Sequence, residues 1–403
     1  MKGGNEYRMK KQTRITGYVK ELTESGRNKK LMRIITLILT VVTIVTNTMI
    51  PVAANAEFTE KEENGFSEKD YVAIIESLCA IAIDKEDYGF EDIDFYKLYL
   101  GNAFPVYEYE NGNLNEVTFK FYPLYIQNEL VAVAIANRVD GEQCSAQISR
   151  RIAFDINQAG AEINDEVCCV YDAEGLKLLC NGKFNLLSKT IDNHFCEILS
   201  PNDIVLTGKT AKLASDRVAL STDLMIEYTS LQAQNYYAVT VTSVSQNYPT
   251  YQHLCWAASV ACIGNKIKSK SKTAYNVACA YRPGNPDQAG YTSDAVSALS
   301  SIYGVSYYGY SARPSDTRIL TNITDGYPIY GQFTGGYISH AVVIYGISVT
   351  GGYISIMDPF TPGKYTIYSA YDSTNVCYTY AYISPYASST TIYLRGHACY
   401  DPC

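Results

Sequence analysis

Histidine and tryptophan are scarce in this chain: four His and one Trp in 403 residues. Any imidazole chemistry therefore rests on His194, His253, His340 or His397. Zinc-type spacing is missing too. No two cysteines form C-x-x-C, and no Cys/His group has the intervals of a structural zinc site. Basic surplus is also lacking. The formal net charge is −8, and the first 56 residues hold ten Lys/Arg against three Glu, which leaves −15 for the remainder. So acidic a chain offers no electrostatic footprint for nucleic acid or an anionic membrane. Hydrophobic residues make up 47%, so disorder is not the bulk state. A length of 403 residues exceeds one compact core and suits two domains plus a leader.

A single long apolar run is present. Residues 34–50 (IITLILTVVTIVTNTMI) follow Lys29, Lys30 and Arg33 and precede Ala54-Asn55-Ala56. A positive stretch, an apolar stretch and an A-x-A site read as a secretory signal over 1–56, cleaved near Ala56. The expectation is a secreted, extracellular protein with no membrane attachment after cleavage. Met32, just before Arg33, is an alternative start. All twelve cysteines lie beyond residue 56. Setting Cys255 aside leaves an odd number, so a full disulfide scaffold is not expected. Cys399 and Cys403 are spaced to pair, and most of the others read as small buried hydrophobes.

The fold class expected is α+β, in two parts. The smaller N-terminal part, 57–200, begins with a polar stretch and then a helix from Ser67 to about Ile83. Ser67 is its N-cap, and Val72, Ile75, Leu78, Cys79 and Ala82 form one face. Antiparallel hairpins follow: VTFKFYPLYI with LVAVAIANRV, and VCCVYD with LKLLC. Residues 201–235 lack sustained periodicity and read as an exposed connector. Beyond it, Tyr, Ser, Thr and Gly crowd the chain. The C-terminal part, 236–403, runs helices first and strands second. Helices are expected from Cys255, Ser271, Thr292 or Ser293, and Pro314-Ser315-Asp316. Strands are expected at YPIYGQF, ISHAVVIYGI, YISIMD, YTIYS and VCYTYAYI, with turns at Gly335-Gly336 and Gly351-Gly352.

Three residues in this part carry chemistry. Cys255 opens a helix, where backbone N–H groups lower a thiol pKa and can face an oxyanion. A thiol nucleophile also needs a base and a group that fixes the imidazole tautomer. His253 is too close in sequence to turn back on Cys255, and His397 lies in what reads as a polar tail. His340 remains, within the apolar run SHAVVI. A His on a buried strand needs a polar partner, and Asp358 ends the next strand. A hairpin turning at Gly351-Gly352 brings the two near each other. The abundance of Tyr, 37 in the chain, suits half-exposed strands and says nothing of specificity. No metal or organic cofactor is implied.

Residues 236–403 resemble the bacterial papain-like cysteine peptidases of the short, C39-like kind. The resemblance rests on LCWAAS, GYTSDAVSALSSIYGV, DGYPIYGQF, SHAVVIYGI and YISIMDPF. It implies that Cys255 is the nucleophile, His340 the acid/base and Asp358 the orienting group. The family's oxyanion Gln stands about six residues before the Cys, where this chain has Pro249. Gln246 and Gln252 are the alternatives. Gln246 is favoured slightly, since a loop absorbs extra residues more easily than a helix start changes direction. The resemblance also implies that 57–200 is a pro-segment acting as an intramolecular inhibitor, with the connector as the cleavage site. The substrate would be a protein or peptide. A transglutaminase-like acyl transferase or deamidase uses the same three residue types, usually with a shorter Cys-to-His interval than the 85 residues here. A secreted binding module without activity is the third reading.

Overall fold

Ser67 begins the first element: its side chain accepts the backbone N–H of Asp70 at 3.1 Å and caps α1 (Glu68–Ile83). The computed structural model describes residues 67–83, 85–86, 88–139, 143–189, 197–199, 210–213, 217–233, 235–247, 253–360, 363–372, 377–382 and 391–400. The expected signal at 1–56, His194, Pro249, Gln252 and Cys403 lie outside these residues. Among the described residues no helix is long and apolar enough to cross a membrane.

Two sheets build the N-terminal half. After α1 come β1 (Leu98–Gly101), β2 (Val106–Glu110), β3 (Asn113–Glu116), β4 (Lys120–Ile126), β5 (Glu129–Val139), β6 (Gln143–Ser149), α2 (Arg150–Gln158), β7 (Glu166–Asp172), β8 (Gly175–Cys180), β9 (Lys183–Lys189), β10 (Ala211–Lys212), β11 (Arg217–Ala219) and α3 (Thr222–Ala233). One sheet runs β11-β1-β4-β5-β6. The other runs β3-β2-β7-β8-β9, with β10 beside β7. Both hairpins expected from the alternating apolar pattern are present, as β4–β5 and β7–β8, one in each sheet. A hydrophobic core containing Phe104, Phe119, Phe121, Ile152 and Leu213 lies within this half.

The stretch expected to be an exposed connector is structured wherever it is described. β10 pairs with β7, β11 pairs with β1, and α3 packs on α1. Helix α3 (TDLMIEYTSLQA) shows no clear apolar stripe, which is why periodicity misses it. Its anchors are few. Met225 is buried and its carbonyl accepts from the Cys79 thiol, while the Ser221 N–H donates to the Tyr71 hydroxyl at 3.0 Å.

The C-terminal half continues with β12 (Tyr236–Ala238), α4 (Cys255–Lys268), α5 (Ala274–Tyr281), α6 (Thr292–Tyr303), β13 (Tyr308–Tyr310), α7 (Asp316–Thr324), β14 (Ile329–Gly335), β15 (Ile338–Ser348), β16 (Tyr353–Asp358), β17 (Gly363–Asp372), β18 (Cys377–Tyr382) and β19 (Ile392–Cys399). All four expected helices are here. Thr273 and Asn276 form a capping box on α5, and Ser315 caps α7. The strands run β12-β15-β14-β19-β18-β17-β16, and a further β15–β16 pairing closes the ring into a barrel. Gly336 and Gly352 adopt φ +54 and +67 at the two expected turns, a conformation glycine takes without steric cost.

The polar tail expected around His397 is instead strand β19. It pairs with β14, β18 and β13, and His397 is buried. The core does not stop at the middle of the chain. One hydrophobic cluster runs from Ile74, Ile75 and Leu78 of α1, through Leu220 and Met225, to Leu254, Trp256 and Val260 at the head of α4.

Candidate active site

Helix α4 begins at Cys255, and it begins there because its first turn is anchored by tryptophan. Trp256 is fully buried, and its indole N–H donates to the carbonyl of Gln288 at 3.1 Å. The Arg282 guanidinium lies 5.2 Å from the indole centroid, pairs with Asp294 at 2.5 Å, and donates to the carbonyls of Gln288 and Ala289. Gly290 lies flat against the same ring, where an added Cβ would meet it at 2.4 Å. The loop between α5 and α6 is thus moulded on Trp256, and Cys255 is left half-buried at the helix mouth. Ala257, Ala258, Ser259, Val260 and Ile263 are buried behind it.

His340 and Asp358 meet because of a register shift. Near the barrel mouth Val343 pairs with Met357 and Ile344 with Ile356; beyond Tyr345 the pairs become Gly346 with Ser355 and Ile347 with Ile354. Side chains alternate across a strand, so continuing the first register puts Asp358 opposite Val342, on the face that also carries His340. Continuing the second would put Asp358 opposite Val343, on the other face. The one-residue bulge therefore decides that imidazole and carboxylate share a side. The carbonyl of the extra residue, Tyr345, accepts the N–H of Val239 at 2.8 Å. Gly346 fits closely here, with Tyr236 Oη 2.9 Å from where a Cβ would stand.

The result is a buried pair, His340 Nε2 to Asp358 Oδ1 at 2.8 Å, with the two side chains 1% and 0% exposed. A carboxylate only accepts, so Nε2 carries the proton and Nδ1 is the basic nitrogen. Among the described residues Nδ1 has no hydrogen-bond partner, and His340 is the group that most favours ionisation of the Cys255 thiol. Asp358 accepts twice more. The Phe360 N–H reaches Oδ1 at 2.8 Å, and the Tyr382 hydroxyl donates to Oδ2. Tyr382 also stacks near the imidazole, with centroids 6.3 Å apart and planes inclined by 20°.

Electrostatics follow from this geometry. Burial opposes ionisation of Cys255, but the hydrogen bond and charge of His340, then the N–H groups of Ala341 and Trp256, outweigh it and draw the thiol below its ordinary value. Burial likewise opposes a charged His340. The Asp358 charge and hydrogen bond, together with Cys255, push its pKa up to about 10. Both shifts favour the thiolate–imidazolium form of the pair. Other buried thiols behave oppositely: burial raises Cys79 and Cys262, to about 11 and about 12.

The remaining sequence candidates are placed as follows. Gln246 is buried; its N–H donates to the Pro359 carbonyl at 2.8 Å, and its Oε1 has no hydrogen-bond partner among the described residues. Gln252 lies outside the described residues. His253 is exposed, and its backbone N–H donates to Asp287 at 3.0 Å. His397 stacks on Tyr310, donates from Nδ1 to the Ala312 carbonyl and accepts at Nε2 from Arg318. Burial brings it down to about 4, with Ala312 opposing and Arg318 assisting, so it stays neutral. Tyr382 and Phe360 are the site residues that sequence reasoning passed over. Only the alternation of Tyr378, Tyr380 and Tyr382 hinted that one face of β18 is aromatic.

No curated protein matches the chain. Residues 237–373, which include Cys255, His340, Asp358 and Gln246, match the family model described as papain-like cysteine protease AvrRpt2. This part of the chain is therefore similar to a papain-like cysteine protease family, and the similarity suggests cysteine peptidase activity.

Proposed function

We propose that this protein is a peptidase in which the Cys255 thiolate attacks the carbonyl carbon of a protein or peptide substrate. The observation that carries the reading is the buried His340–Asp358 pair, which favours ionisation of the thiol at the mouth of α4. As the S–C bond forms, the carbonyl π pair moves to oxygen. The N–H groups at the start of α4 and the Gln246 side chain are assigned to hold that oxyanion. Collapse breaks the C–N bond, and the leaving amine takes the proton from His340 Nδ1. His340 then accepts a proton from water, whose oxygen attacks the thioester and expels the thiolate. Asp358 keeps the imidazole oriented through both steps.

Secretion after cleavage near Ala56, and restraint by the N-terminal half until the chain is cut within 200–240, belong to the same reading. Support for secretion is the charged and apolar order of residues 27–56. The test is mass spectrometry and peptide hydrolysis with the secreted protein, wild type beside Cys255→Ala. The expected wild type starts near Glu57, hydrolyses peptide and is cut in 200–240, and the variant does neither of the last two. Hydrolysis that survives the substitution overturns the nucleophile assignment. A mature protein that still begins at Met1 or Met32 overturns the signal assignment.

A further inference from the structure

Beyond the shared cluster behind α4, one side chain links the turn after Asp358 to the core of the N-terminal sheets. β16 ends at Asp358, and the chain turns through Pro359 and Phe360 before β17 resumes at Gly363. A phenylalanine at such a hairpin tip would ordinarily face water. Phe360 is instead 6% exposed, and its cluster is the N-terminal core of Phe104, Phe119, Phe121, Ile152 and Leu213. Among the described residues it is the sole contribution of the C-terminal half to that core. The same residue sets the carboxylate. Its N–H donates to Asp358 Oδ1 at 2.8 Å, the side chain to i+2 contact of an Asx turn. Pro359 between them has a restricted φ, so the direction of that N–H follows from where the ring is seated. The turn is also held from the side. The Pro359 carbonyl accepts from Gln246 N–H at 2.8 Å, and the Phe360 carbonyl from Asn247 Nδ2 at 2.7 Å.

We propose that Phe360 is a positioning residue that fixes the Asp358 carboxylate by anchoring its turn in the N-terminal core, which makes the N-terminal half a working part of the site. The role of Asp358 rests on the peptidase reading above; the anchoring does not. Restraint and support are separable. A cut in 200–240 can relieve a restraint, but departure of the N-terminal half would leave Phe360 in water and the carboxylate without its fixed N–H. The active species is then a cut chain whose two parts stay associated.

The test uses the full chain: wild type, Phe360→Ala, Phe360→Leu and Asn247→Ala. It measures the rate of Cys255 alkylation by iodoacetamide against pH, together with kcat and KM on a peptide. Alkylation reports the thiolate–imidazolium pair whether or not peptide is cleaved. For Phe360→Ala the expected result is a pair that persists over a narrower pH range, its acid limb moved up and its alkaline limb down. We also expect kcat to fall by about tenfold with KM within about twofold, as for loss of orientation rather than binding. Phe360→Leu should restore most of both. Wild-type limbs and kcat in folded Phe360→Ala, with only a lowered melting temperature, overturn the proposal. If Phe360→Ala does not fold, Asn247→Ala, which frees the Phe360 carbonyl, decides: limbs shifted inward support it, and unshifted limbs overturn it. Shifted limbs without any wild-type peptide hydrolysis would remove the peptidase reading and leave the anchoring intact.

Discussion

Tyr382 donates its phenolic hydrogen to Asp358 Oδ2, the oxygen that His340 does not use. The two residues come from β18 and β16, the strands that flank β17 on either side. The carboxylate is left with three donors from three different places in the chain: His340, Phe360 and Tyr382. A charged acceptor held this way cannot swing away from the imidazole without losing hydrogen bonds each worth about 1.5–3 kcal/mol.

Tyr382→Phe removes one donor and keeps the ring. The loss of a hydrogen bond to a charged group, about 1.5–3 kcal/mol, sets an upper bound on the effect. A fall in kcat of about tenfold with KM nearly unchanged is expected, since about 1.4 kcal/mol corresponds to a factor of ten. Steady-state kinetics of Tyr382→Phe beside Tyr382→Leu check this. Equal activity of all three proteins would show that the phenol does not orient the carboxylate.

The pH profile follows from the shifted pair. Cys255 is drawn below the usual thiol range, and His340 is pushed up to about 10. Activity in kcat/KM should therefore rise at a pH below that at which an ordinary thiol ionises, as the thiolate forms, and fall near pH 10 as the imidazolium is lost. These limbs belong to the coupled pair rather than to either residue alone. For stability the sign is that of a raised base. Protonated His340 contributes fully below its unfolded value of about 6.5, and the contribution is lost as pH rises through the folded value. Asp358→Asn should move the alkaline limb toward acid and reduce the loss of melting temperature between pH 7 and 10.5. A limb that stays in place in that variant would count against Asp358 as the source of the shift.

Much of this arrangement was legible in the sequence. Cys255 beside the lone tryptophan, His340 in an apolar strand and Asp358 after a Gly-Gly turn are local patterns, and the strands and helices fall where those patterns place them. What was not legible depends on long-range pairing. The bulge at Tyr345 leaves no mark in composition, yet it sets the face of Asp358. Tyr382 and Phe360 read as ordinary strand and turn residues until the barrel and the N-terminal core meet them. Helix α3 has too weak a stripe to be seen, and His397, read as part of a polar tail, is buried in β19. Tertiary contact, not local propensity, decides all five.

Gly290 makes a stability prediction at a distance from the chemistry. A Cβ there meets the Trp256 ring at 2.4 Å, and the ring is held on its other sides by Arg282 and Tyr281. Gly290→Ala must push the loop or the indole aside, an overpacking cost of about 1–3 kcal/mol. Because Trp256 follows Cys255 directly, the helix mouth should move with it. A lowered melting temperature together with slower alkylation of Cys255 is expected. An unchanged melting temperature would mean that the loop yields freely.

Gln246 and Gln252 compete for one role, and the surroundings of Gln246 separate them. A buried amide whose oxygen has no hydrogen-bond partner among the described residues is costly to keep, by about 1–3 kcal/mol, unless the group serves something else. Its backbone is pinned to Pro359, next to the carboxylate that orients His340, so the amide is held to the same turn. If its Nε2 hydrogens serve the oxyanion, Gln246→Ala should lower kcat by about 10²–10³-fold. Alkylation of Cys255 should stay at the wild-type rate, because that reaction builds no oxyanion. Gln252→Ala should leave both rates alone. The reverse pattern, with Gln252→Ala losing kcat and Gln246→Ala keeping it, would transfer the role and leave the buried amide as a packing element of the turn.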